Sequence, residues 1–185
     1  MPLLMPLSPH SEAGLFNMYF MDSGAYSHTE GISGYDWIRP SQIEWFRDQS
    51  AELKARKGSI LPSVAFFHIP IPEYNYASLA GRVGERHEGV AAADVNSGLF
   101  TAFLDADDVV ATFVGHDHTN DYCGRYPGSK VRWACYGGGV GYGTYNRYLG
   151  IRTSRVIELS ANGTISSWKR LDNESFDTID IQQLH

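Results

Sequence analysis

Helical periodicity is clearest from residue 40 onward. In "PSQIEWFRDQSAELKARKG" the apolar residues Ile43, Phe46 and Leu53 fall on one face. Ser41 and Glu44 have the S-x-x-E spacing of a capping box, and Gly58 ends the run. A second helical pattern covers 96–108, with Asn96 or Ser97 available as cap and Leu99, Phe103 and Leu104 periodic. Short apolar or alternating runs read as strands at 15–22, 62–72, 109–115, 131–137, 154–160 and 165–171. Alternating prolines stop the second of these, since proline cannot continue a ladder. Ala161-Asn162-Gly163 joins the last two strands as a hairpin. Residues 73–93 have little periodicity and read as a long surface loop. The order β, α, β, α, β, followed by a run of strands, predicts a mixed α/β fold without internal repeats.

The chain has 185 residues, a length suited to one domain spanning 1–185, with its core at 15–171 and tails at 1–14 and 172–185. Hydrophobic residues make up 43% and charged ones 19%, a globular balance. A formal charge of −6 without any Lys/Arg run argues against a nucleic-acid surface. No apolar run approaches the ~18 residues of a membrane span. The proline-rich opening "MPLLMPLSPH" lacks the basic start of a signal peptide. Two sequons, at Asn162 and Asn173, suit a secreted protein, but leave the compartment open. Cys123 and Cys135 could be bonded or be two buried thiols, and no CxxC zinc pattern is present. The glycines from 137 to 143 match neither G-x-G-x-x-G nor GxxxxGK[ST], which excludes dinucleotide and P-loop binding. Nothing in the charge pattern implies a protein partner, and the oligomeric state is open.

Candidate chemistry gathers at two strand ends. One strand runs into His68, the other into "GHDHTND" with His116 and His118. Open α/β sheets build their sites at strand ends. Residues two apart in an extended chain point the same way, with Cα atoms roughly 6.5–7 Å apart, so the two imidazoles could serve one ion pair about 3.5–4 Å across. Gly115 would let the backbone come close to such ions. Asp117, Asn120, Glu88 and Asn96 are candidates for a supporting shell or substrate cleft. Asp22 and Asp36 suit turn formation better than ligation, His87 suits a solvated loop, and His10 and His28 have no pattern around them.

The wording "FFHIPIPEY", "GHDHTNDYCG", "VNSGLFTAFLDADDVVATFV", "MYFMDSGAYS" and "ACYGGGVGYGTY" resembles the C-terminal half of calcineurin-like metallophosphoesterases, in the branch related to purple acid phosphatases. That resemblance runs from Leu15 to Arg170. It implies two packed sheets flanked by helices, or at least half of such a sandwich, and metal ions of the Fe, Zn or Mn class at the strand ends. Carried over by position, His68 and His116 would ligate the second metal and His118 the first. The substrate would be a phosphate ester attacked by metal-activated water.

The same family pattern begins with Asp-x-His, Gly-Asp and Gly-Asn-His, and none of the three occurs in this chain. Two dications 3.5 Å apart repel by roughly 19 kcal/mol at an effective dielectric of about 20, and neutral imidazoles do not offset that. The expectation is therefore a fragment or shortened product of a longer phosphoesterase. It would hold one ion weakly between His68 and His116, and would be inactive alone. The alternative is a non-catalytic remnant serving as a weak metal-binding or interaction module.

Overall fold

A computed structural model describes residues 3–6, 15–77, 80–126, 128, 133–145 and 150–185. His10 and the stretch 7–14 lie outside the described residues. The strands are β1 (Leu3–Pro6), β2 (Asn17–Phe20), β3 (Ser63–Phe66), β4 (Ala80–Val83), β5 (Val109–Val114), β6 (Cys123–Arg125), β7 (Trp133–Tyr136), β8 (Thr153–Leu159), β9 (Ile165–Leu171) and β10 (Thr178–Gln183). The helices are α1 (Pro40–Lys57), α2 (Tyr74–Ala77) and α3 (Leu99–Ala106). No described helix is long and apolar enough to cross a membrane.

Seven strands form one sheet in the order β1-β2-β3-β5-β7-β6-β4, and β10-β9-β8 form a second, antiparallel sheet. Strands β2, β3, β5 and β7 run parallel, as α1 and α3 crossovers permit. β5 is buried at all six positions, in keeping with a central parallel strand covered on both faces. One face packs Tyr19, Ala65, Phe67 and Tyr136 against Phe46 of α1, Tyr74 of α2 and Phe103 of α3. The other packs Val64, Val110, Phe113 and Trp133 against Ile165 and Leu184 of the small sheet region. The mixed α/β expectation therefore holds, with a second sheet against the first.

Local details depart from the sequence reading. Helix α1 starts at an Arg39 cap with no side-chain cap bond, and Pro40 occupies its first turn. Proline is pre-organised for that position, which moves the start forward and leaves Ser41 and Glu44 inside the helix instead of forming a capping box. The stop at Gly58 is as expected: φ is 68° and its N–H donates to the Lys54 carbonyl. The stretch 73–93 is not all surface loop, because it carries α2 and β4. The Tyr74 ring is fully buried, and its hydroxyl lies 2.8 Å from Thr112 Oγ1. The stretches set aside as tails contribute β1 and β10. Helix α3 is capped at Gly98, whose N–H donates to Asn96 Oδ1 at 3.0 Å. Of the expected strand 131–137, residues 133–137 are described, and β7 covers Trp133–Tyr136.

Candidate functional site

Strands β3 and β5 pair in parallel with Phe66 opposite Phe113, so the residues that follow them emerge side by side. The Gly115 N–H donates to the His68 carbonyl at 3.2 Å, and the Gly137 N–H donates to the Val114 carbonyl at 2.8 Å. These bonds hold three strand ends together. A Cβ on Gly115 would lie 3.1 Å from His68 Nδ1. The glycine thus makes room for the His68 ring.

After Gly115 the chain does not continue extended. His116 has φ 71°, and the Asp117 N–H donates back to the Gly115 carbonyl at 2.8 Å, which makes a γ-turn with His116 at its centre. His116 and His118 are therefore not alternate positions of one extended strand. What brings imidazoles together is the pairing of two strands. The His68 and His116 rings lie edge to face with centroids 5.2 Å apart. His118 turns aside to stack on Tyr145 at 4.2 Å, with its Nδ1 buried and without a hydrogen-bond partner among the described residues.

His116, Asp117 and His118 line a cavity of about 540 Å³ with Tyr35, Glu88, Val90 and Tyr145. His68 faces a second cavity of about 540 Å³, walled by Phe20, Phe66, Phe113 and Arg155. The imidazoles thus touch across a divide between a polar and an apolar cavity. Burial lowers the pKa of His116, and the nearby His68 and His118 lower it further, while Glu88 opposes them. A neutral imidazole with an available lone pair is the result near pH 7.

The supporting residues have definite tasks. Asp117 is buried, accepts the Tyr136 hydroxyl at 2.7 Å and the Ala91 N–H at 3.2 Å, and has its pKa raised chiefly by burial. It ties the turn to β7 and the 89–91 loop. Asn120 is fully buried, and its Oδ1 accepts the N–H groups of His87 and Glu88, both at 3.1 Å. Glu88 in turn accepts the Thr119 N–H at 2.6 Å and the Tyr145 hydroxyl at 3.0 Å. Asn96 is placed elsewhere, donating to Glu73 at 2.7 Å near the start of α3. Asp22 accepts the Gly24 N–H in a turn, and Asp36 pairs with Arg39. Tyr35, edge-on to His116 at 4.4 Å, and Tyr145 were missed by sequence reasoning, because a tyrosine in a Gly-rich loop carries no spacing signal. Among the described residues, no three His, Cys, Asp or Glu side chains converge so as to hold a metal ion.

No family model and no solved structure matches the chain. Curated proteins do. It is 40% identical over 92% of its length to "Probable inactive purple acid phosphatase 29" of Arabidopsis thaliana, matching 48% of that protein. It is 38% identical over 97% of its length to "Probable inactive purple acid phosphatase 28" of the same plant, matching 47% of it. To "Phosphatase DCR2" of Saccharomyces cerevisiae it is 39% identical over 94% of its length, matching 32% of that protein. The chain thus spans about half the length of the two plant relatives. Its mixed α/β fold, its histidine-bearing strand ends and these identities make it a relative of the purple acid phosphatase-like proteins, corresponding to about half of one.

Proposed function

We propose that this chain carries the histidine-bearing part of a phosphoesterase site, and that by itself it does not turn over substrate. The observation behind this reading is the 5.2 Å contact of His68 and His116 at the ends of two parallel strands. The purple acid phosphatase relatives imply metal ions in general, and the Fe, Zn or Mn class is part of this proposal. The residues present fit such an ion only in part. Among the described residues, two imidazoles abut and His118 has a buried nitrogen without a partner, yet no three-donor group forms. A bound ion would polarise a phosphate ester and acidify a water. The chain's own contribution is narrower. His116 is held neutral, His68 is seated against Gly115, and Glu88 and Tyr145 close the wall of the cavity beside them. Glu88 and Asp117, the carboxylates lining that cavity, already accept hydrogen bonds from the protein. That favours the second reading, a non-catalytic module binding metal weakly, over an independent enzyme.

The test uses the full chain beside His116→Ala, measuring metal content by mass spectrometry and hydrolysis of p-nitrophenyl phosphate. Metal retained by the wild type and lost by the variant, with background hydrolysis from both, is expected. Equal metal content would remove the metal role of His116, and wild-type turnover abolished by the substitution would overturn the claim of inactivity. We further propose passage through the secretory route, which the buried Cys123–Cys135 bond supports.

A further inference from the structure

We propose that Asn162 is an N-glycosylation acceptor, taking an oligosaccharide from a polyprenyl-diphosphate donor in an oxidising secretory compartment. Asn162-Gly163-Thr164 has the N-x-[ST] pattern, in which the hydroxyl two residues on takes part in acceptor recognition. The pattern alone does not discriminate, since Asn173-Glu174-Ser175 has it too. The structure separates the two.

Asn162 is exposed at the tip of the β8–β9 hairpin. Ser160 and Thr164 close the loop, the Gly163 N–H donates to the Ser160 carbonyl at 2.9 Å, and Gly163 has φ 90°. That is a β-turn followed by a left-handed glycine. Its Oδ1 accepts the Thr164 N–H at 3.0 Å. This Asx-type contact uses the oxygen and leaves Nδ2 without a partner among the described residues. The acceptor nitrogen, the following glycine and the threonine therefore sit together on a projecting turn. No residue from 160 to 164 lines the histidine cavity.

Asn173 differs at each point. It is half-buried, its Oδ1 accepts the Asp177 N–H at 3.0 Å, and its Nδ2 donates to Asp177 Oδ2 at 2.8 Å. Both ends of that amide are used to close the turn between β9 and β10, where the Leu171 N–H also donates to the Asp177 carbonyl. A sugar on its Nδ2 would occupy the place of the Asp177 carboxylate.

Cys123 and Cys135 are direct partners across β6 and β7, are bonded, and are both fully buried. They belong to the same apolar cluster as Ile165, the residue that begins β9. Once the small sheet has docked, the pair is sealed from solvent. Oxidation therefore takes place where the chain folds, and that place is an oxidising one. N-glycan transfer belongs to the same setting. In the transfer, Asn162 Nδ2 forms a bond to the anomeric carbon of the donor sugar. The anomeric C–O bond to the diphosphate breaks, one amide proton passes to the transferase, and the polyprenyl diphosphate departs. The inference stands apart from the metal reading of the histidines.

The full 185-residue chain, directed into the secretory pathway of a eukaryotic host by an added leader, is mapped by peptide mass spectrometry before and after N-glycanase. The secreted and lumen-retained pools are both mapped. The expected result is a glycan on Asn162 in the wild type, in Asn173→Gln and in Thr164→Ser, and its loss in Asn162→Gln and Thr164→Ala. Because the wild-type peptide is read directly, a variant that folds poorly does not obscure the answer. Unmodified Asn162 in wild-type chains whose Cys123–Cys135 bond has formed would overturn the proposal.

Discussion

His116 and Asp108 show what single residues contribute. With φ at 71°, His116 lies in the left-handed region, where a side chain costs roughly 1–2 kcal/mol that glycine avoids. His116→Gly is therefore expected to be about 1 kcal/mol more stable than His116→Ala in urea unfolding. Equal stabilities would show that the turn relaxes once the ring is gone. Asp108 is buried at the start of the sheet, where Oδ2 accepts from Tyr19 at 2.7 Å, Ser50 at 3.0 Å and Ser63 at 3.3 Å. Burial raises its pKa, and those hydrogen bonds only partly counter the effect. The native state thus holds the Asp108 proton more tightly than the unfolded chain does. The associated stability is present below the ordinary aspartate pKa and is lost as pH rises through the raised native value. In Asp108→Asn that part of the acid-range slope disappears, which unfolding titrations at successive pH values will read. Nothing in "FLDADD" distinguishes Asp108 from its exposed neighbour Asp107 except position relative to β5. The three hydroxyls that meet it come from 45, 58 and 89 residues away.

Elements were legible where their signals are local. The periodic run of α1, the apolar runs of β3 and β5, and the glycine of the β8–β9 hairpin act within a few residues of themselves, and each element forms within the expected stretch, although β3 ends at Phe66, short of the prolines expected to stop it. Strands β6 and β4 were not legible. β6 is three residues long and exists because β7 offers it an edge. The bond between Cys123 and Cys135 staples that pair. Replacing both cysteines by alanine opens a loop of 12 residues' separation and is expected to cost about 3 kcal/mol, measurable as a lower urea midpoint under non-reducing conditions. No change in midpoint would mean that β6 holds without its staple. Likewise α2 was hidden, because it is a four-residue turn whose two buried residues, Tyr74 and Ala77, are too few to make a periodicity.

Across the whole molecule, the small sheet is tied to the histidine-bearing loop by buried charge. Lys169 of β9 pairs with Asp121 at 2.8 Å, and the side chains are only 3% and 2% exposed. The same lysine also reaches Asp180 of β10. Arg155 of β8 donates to the carbonyls of Asp121 at 2.6 Å and Tyr136 at 2.8 Å, and burial lowers its pKa to about 10. Asp121 in turn holds the Glu85 N–H at 2.8 Å, at the root of the loop that carries Glu88. Removing one partner strands the other, so Lys169→Met is expected to cost about 3–5 kcal/mol. Adding Asp121→Asn should recover part of that loss, and a purely additive double variant would deny the coupling. The sequence by itself determined the fold class, the main strands and the arrival of histidines at two strand ends. Each of these follows from residue type and spacing over a single turn or strand. Only the tertiary structure decided that His68 meets His116 while His118 turns to Tyr145, that Asp117 and Glu88 are engaged by the protein, and that Asn96 lies elsewhere. Those outcomes depend on the register between strands distant in sequence and on a positive φ at one residue, and no local pattern encodes either.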